Sequence, residues 1–519
     1  MTRSKTAALC LRHLLLINLL VTGLALADAE NPDPYATITE LQQQAFTSSQ
    51  LVTAALARIE TIDRNGPKVN AMIELNPDAL AIAKTLDGQP PLGELYGIPI
   101  VLKDNIDTGD KMLTTAGSRA LADQPAAKDA FIVGRIRQAG GVVLGKTNLS
   151  EWANFRSNQS ISGWSGRGGQ TRNPYVLDRS PCGSSSGSAV AVAAGLTPLA
   201  VGTETDGSII CPASMNGIVG IKPSLGLVSR SGIIPLSHSQ DTAGPMARTV
   251  ADAALLLSVL AAEDSQDPAT LGAPQRGLNY RQFLDAEALS GKRIGILASK
   301  TGQHAGTDQV FDDALATISQ LGAVLVNDVE IATLKDIGDP EYTVLLYDFK
   351  HDLNHYLGRR RGLPVANLSD LIAFNRRQAS VEMPWFGQDI FLEAQSKGEL
   401  TDDEYVRALA TAKRLAGPEG IDATLEKYHL DAIVAPAYTP AFPIDPVLGD
   451  GFILGTSTAA AVSGYPAITV PAGRVHELPV GIVLFAEKWS EPKLISFAYA
   501  FEQSHQGWQP PKFIPTLAP

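Results

Sequence analysis

The stretch SPCGSSSGSAVAVAAGLTPLAVGTETDGSIICP, residues 180–212, decides how the rest of the chain is read. It is built of Gly, Ser and small apolar residues and holds two glycine-flanked serines. Ser184 lies in Cys182-Gly183-Ser184-Ser185-Ser186-Gly187, and Ser208 in Thr205-Asp206-Gly207-Ser208-Ile209. An apolar run, 189–194, sits between them, bounded by Gly187 and Gly195. By composition alone the stretch suits a nucleophilic site, a phosphate loop or a linker.

Outward from it, short apolar strands alternate with helices. Residues 98–102 (IPIVL) read as a strand that delivers Lys103, Asp104 and Asn105 at its end. Residues 39–62 carry apolar residues at helical spacing, with Thr39 as the expected N-cap. A second helix runs from Asn76-Pro77 to near Gly88, and a third over 130–139. Further strands are expected at 141–144, 218–221, 293–297, 432–435 and 467–470. This alternation predicts an α/β fold: one large α/β/α sandwich around a central mixed, twisted sheet. The polar, glycine-rich stretch 156–180 has no period, and a loop that long in a compact domain is more often functional than idle. Residues 265–290 are the nearest approach to a linker, and 340–430 read as a helical peripheral layer.

Bulk composition narrows the function. The 519 residues are 45% hydrophobic with mean hydropathy +0.03, an ordinary globular chain with ample core. A formal charge of −12 disfavours nucleic acid or an anionic membrane as partner. No P-loop, CxxC pair or HExxH motif occurs, so neither metal nor cofactor is expected. Arg3, Lys5 and Arg12 precede the apolar residues 14–26 and the Ala25-Leu26-Ala27 site, which reads as a secretory signal peptide over 1–27. That apolar core falls short of the about 20 residues a bilayer crossing takes, and no later run is longer. The mature chain, 28–519, is expected as one periplasmic or secreted domain without membrane insertion. Nothing requires more than a monomer. Cys182 and Cys211 remain after cleavage. They are read as small residues packed in a tight wall, in preference to a bridge, which would need a Cα separation under about 7 Å.

A serine nucleophile needs a base and oxyanion donors. Eight histidines occur, one of them (His13) in the leader, and none lies near Ser184 or Ser208 in sequence; His238 is the nearest. There is no GxSxG elbow. Lysine is the alternative base, and burial at an apolar strand end would lower its ordinary pKa of about 10.4. Lys103 is placed for this, but by periodicity alone it also reads as a surface lysine paired with Asp104. Asp104 and Asn105 either orient Lys103 or cap a turn. Trp164, Arg167 and Trp385-Phe386 are read as structural before they are read as lining a groove.

Together GIPIVLKDN (97–105), GSSSG (183–187), GTETDGSI (202–209), GIVGIKPS (217–224) and SQDTAGPMARTV (239–250) resemble the amidase signature family. The resemblance implies a Ser–cis-Ser–Lys triad of Ser208, Ser184 and Lys103, with a cis peptide at Gly183–Ser184. It also implies an oxyanion hole from the backbone of Thr205, Asp206, Gly207 and Ser208, with Ser185 and Asp206 in support. Segments 144–156, 160–175, 180–194, 414–422 and 489–495 are similar to the peptide amidase branch of that family. That branch implies hydrolysis of a peptide's C-terminal carboxamide to the free acid and ammonia through an acyl-enzyme. Asp206 and Cys211 depart from the wider family pattern in the direction of that branch. The alternatives are an amidase of small aliphatic or aryl amides, and a non-hydrolytic amidotransferase-type subunit.

Overall fold

The computed structural model describes residues 31–518, apart from Ala45 and Gln506. The expected signal peptide therefore lies outside the described residues. Thirteen strands form an eleven-stranded sheet and a two-stranded ribbon. They are β1 (Met72–Leu75), β2 (Pro99–Lys103), β3 (Val142–Thr147), β4 (Trp164–Ser165), β5 (Gly169–Gln170), β6 (Leu199–Glu204) and β7 (Val219–Lys222). The rest are β8 (Thr242–Ala247), β9 (Arg293–Leu297), β10 (Val324–Val329), β11 (Ala432–Pro436), β12 (Ala467–Val475) and β13 (Leu478–Phe485).

The sheet order is β1-β3-β2-β6-β8-β7-β12-β13-β11-β9-β10. Strands β3, β2 and β6 are mutually parallel, as are β11, β9 and β10. The middle, β8-β7-β12-β13, is antiparallel. The expected mixed α/β sheet is present. The group β3-β2-β6 is buried on both faces, so its strands are near-continuous apolar runs rather than alternating ones, whereas β10 at the far edge is largely exposed. β2 and β3 show this: every residue in both is buried.

The pleat decides what Lys103 can reach. Successive side chains point to opposite faces. Ile100 and Leu102 enter one core cluster, and Val101 enters the other, which contains the helix Ser186–Ala193. Lys103 shares Val101's face, so it points toward the loop that opens this helix. All eight residues of the helix are buried, which explains its Ala, Val, Ser and Gly composition: larger side chains would not fit between sheet and neighbours.

Several elements differ from expectation. The helix over 39–62 is broken into Ile38–Gln43 and Ser48–Arg58. Thr37 and Thr47, not Thr39, are the caps. Each accepts from the N–H three residues on, while Glu40 and Gln50 accept from the cap N–H in return, a capping box at both starts. The stretch 265–290 is not a linker, because Tyr280 is fully buried and its N–H donates to Ser258 Oγ. Within 340–430 the long helix Gly338–Arg359 packs against Asp389–Ser396 and Asp403–Ala416, with a separate apolar cluster around Phe349, Leu353 and Phe391.

Cys182 and Cys211 also depart from the packed-thiol expectation: they form a disulfide, with Cα atoms 6.0 Å apart. The bridge joins the segments that carry the buried Ser184 and Ser208.

Candidate active site

Three segments converge at the carboxyl ends of β2 and β6, where open α/β sheets form their crevices. β2 contributes Lys103, the turn before the helix Ser186–Ala193 contributes Ser184, and the turn after β6 contributes Ser208. Lys103 Nζ lies 2.7 Å from Ser184 Oγ, and Ser184 Oγ lies 3.0 Å from Ser208 Oγ. The Gly183–Ser184 peptide is cis. A Cβ on Gly183 would fall onto Ser150 Oγ, so any side chain there would have to displace Ser150.

Lys103 is fully buried, and burial pulls its ammonium down to about 7 against the opposing pull of Asp241 and Glu204. It has two other partners: Thr203 Oγ1 at 2.9 Å and the Thr203 carbonyl oxygen at 3.1 Å. A neutral amine carries two N–H groups and one lone pair. With both N–H groups on Thr203, the lone pair faces Ser184. Asn105 Nδ2 donates to Thr203 Oγ1 at 3.0 Å, so Asn105 orients the lysine through Thr203. Asp104 caps a turn instead: its carboxylate accepts from Thr115 Oγ1 and the Gly117 N–H. The surface pairing of Lys103 with Asp104 is absent. A cavity of about 670 Å³ is lined by Asn105, Thr203, Thr205 and Asp241, but neither Lys103 nor Ser208 lines it.

Ser208 sits on a turn shaped by Gly207, at φ +77°, where a Cβ would also meet Tyr438 Oη and Ser457 Oγ. Glu204 Oε2 accepts from the N–H groups of Ile209 and Ile210, fixing the chain just past the serine. The N–H groups of Asp206, Gly207 and Ser208 donate to no protein acceptor among the described residues. They are free beside the Ser208 hydroxyl, as an oxyanion site requires. Ser185 holds the two turns together: its hydroxyl donates to the Thr203 carbonyl, and its N–H to the Ser208 carbonyl. Asp206 accepts from Thr458 Oγ1 at 2.8 Å.

No histidine among the described residues hydrogen-bonds Ser184 or Ser208. His238 is engaged by Asp352, 2.9 Å away. Trp164 and Phe386 clasp the buried Arg156 guanidinium, and Arg167 pairs with Glu74, so all are occupied structurally. Of this group, Trp385 alone is exposed. Sequence reading missed Thr203, Gln240 and Asp241 as individual residues. Asp241 Oδ1 accepts from Thr205 Oγ1 at 2.6 Å, and Gln240 Nε2 donates to the Thr205 carbonyl at 3.3 Å. Their signal is present in the motifs GTETDGSI and SQDTAGPMARTV, but no periodicity marks them.

The family model Amidase matches residues 50–495. The chain belongs to the amidase family. A solved peptide amidase from Stenotrophomonas maltophilia is 50% identical, with TM-score 0.89, covering 92% of this amidase and 98% of that chain. The Arabidopsis thaliana protein called "Probable amidase" is 42% identical over 92% of both chains. A glutamyl-tRNA(Gln) amidotransferase component from Symbiobacterium thermophilum is more distant, at 34% identity over 88% of this chain and 93% of its own. The chain is thus an amide-hydrolysing enzyme with the amidase fold, and it closely resembles peptide amidase structures. No helix among the described residues is long and apolar enough to cross a membrane.

Proposed function

We propose that this amidase hydrolyses the C-terminal carboxamide of peptides, with Ser208 as nucleophile, Ser184 as relay and Lys103 as base. The observation that carries the reading is the unbroken chain from Lys103 Nζ through Ser184 Oγ to Ser208 Oγ, ending beside free backbone N–H groups. Ser208 Oγ attacks the carboxamide carbon as its proton passes to Ser184 and that of Ser184 to neutral Lys103. The oxyanion is met by N–H groups of the 205–208 turn, each worth on the order of 3 kcal/mol of transition-state stabilisation. The protons return along the relay to the amide nitrogen, and ammonia leaves. Water, activated by the same relay, then hydrolyses the acyl-enzyme.

The peptide class is supported by similarity to peptide amidase and by an apolar rim near the nucleophile. Val447, Leu448, Phe452 and Ile453 are exposed on the loop after β11. Phe452 packs on Tyr438, 6.2 Å between ring centroids, and Tyr438 borders Gly207. Such a rim suits peptide side chains better than a small amide. The test is a comparison of kcat/KM for peptide amides, acetamide and an anilide. Peptide amides should turn over best, and equal or better turnover of the small amides would sink the peptide reading.

We also propose that the enzyme is exported as a single catalytic domain, 28–519, and works as a monomer. The disulfide supports export, since such bonds persist in oxidising compartments. Fractionation of the native host and size-exclusion of the mature chain test the two claims.

A further inference from the structure

Asp206, two residues before Ser208, lies beside the first turn of the helix Gly338–Arg359, which carries Glu341. Its Oδ2 accepts from Thr458, but its Oδ1 is buried with no hydrogen-bond donor among the described residues. The neighbour it meets is another carboxyl, Glu341, itself buried. Glu341 Oε1 accepts from Gln240 Nε2 at 2.9 Å, and the same Nε2 lies 3.3 Å from the Thr205 carbonyl. One amide group thus ties Glu341 to the nucleophile turn, and Asp206 ties the turn back to Glu341.

Glu341 is buried and Asp206 half-buried with its Oδ1 enclosed, and two carboxylates held together there repel unless a cation or a proton joins them. No nearby cation donates a hydrogen bond to the pair among the described residues. Lys413 donates to the carbonyls of Ser239 and Val462, both at 2.7 Å. Lys300 donates to the Gly455 carbonyl and Lys222 to that of Pro223. The remaining titratable groups facing the pair, Glu204 and Tyr438, supply no positive charge. A proton is the missing partner, and an O–H on Glu341 would satisfy the orphaned Oδ1.

We propose that Glu341 is a positioning residue that stays protonated and donates to Asp206, so that the pair clamps the 205–208 turn under the nucleophile. The inference rests on the role proposed above for that turn. Burial and the Asp206 charge both push Glu341 well above the usual carboxylate range. The clamp therefore holds while Glu341 keeps its proton. It opens as pH rises through the folded-state value, when two charges repel and the oxyanion donors lose register.

The test is the pH profile of kcat/KM on a peptide amide for wild type, Glu341→Gln and Glu341→Ala. Glutamine keeps a permanent donor, so E341Q should retain at least about a third of wild-type activity, with its alkaline limb moved up or abolished. E341A should lose kcat by about 10²-fold, the scale of a small misplacement at a reacting group, with KM little changed. E341Q as damaged as E341A, or an alkaline limb identical to wild type, overturns the clamp. If E341A does not fold, E341Q decides alone. Ser208→Ala in the same assay separates the two levels: its loss of activity keeps the function standing whatever E341Q does, and its retention removes the function itself.

Discussion

Lys103 can accept a proton only as a neutral amine, so the proposed mechanism fixes the sign of the pH dependence. Burial lowers its value to about 7, so kcat/KM should rise through pH 7 as the ammonium loses its proton. Lys103→Ala should remove that limb together with most activity. Ser208→Ala should retain less than about a thousandth of wild-type kcat, as when a triad nucleophile is removed. A profile flat from pH 6 to 8 in the wild type would contradict the lysine base. The same lowered value makes folding stability rise with pH between about 7 and the unfolded lysine value near 10.4, because there the unfolded chain binds the extra proton. The apolar strand that ends on Lys103 made it a candidate, but the family motifs, not periodicity, singled it out. Thr203, Asp241 and Glu341 were not legible, since each acts through a contact between segments far apart in the chain, and local periodicity carries no trace of that.

The two turns that carry Ser184 and Ser208 are held as one unit. The helix Ser186–Ala193 anchors the first, Glu204 caps the chain beyond the second, and Ser185 links the two. The disulfide adds a covalent tie across 29 residues of sequence. A loop of that size predicts that Cys182→Ala/Cys211→Ala loses about 3 kcal/mol of stability in denaturant unfolding. An unchanged midpoint would remove the bridge from the stability account. The small-residue composition of 180–212 was legible as close packing, and close packing turns out to serve the bridge as well. The division into the helices Ile38–Gln43 and Ser48–Arg58 and the caps Thr37 and Thr47 were hidden because the apolar spacing runs on through both helices, while the capping boxes lie in polar side chains.

Over the whole molecule, the parallel groups were the readable part of the sheet: β2, β9 and β11 announce themselves as short apolar runs. The antiparallel middle was read in part: β7 and the start of β12 were expected as strands, while β8, whose proline and glycine look like loop, and β13 were not. Those strands matter, since β8 follows Gln240 and Asp241, the residues that support Thr205. The apolar rim proposed to seat the substrate is the least legible feature, as it lies on a loop with no period. If that rim seats the substrate, Phe452→Ala should raise KM for apolar peptide amides by about tenfold, the scale of one buried aromatic contact, with kcat little changed. The most direct test of the proposed activity is mass-spectrometric analysis of a peptide amide incubated with the purified mature enzyme. The expected result is a single product, heavier by the exchange of –NH2 for –OH, with ammonia released, no internal cleavage, and no product from Ser208→Ala. Backbone cleavage, an unaltered peptide amide, or product formation by Ser208→Ala would contradict it.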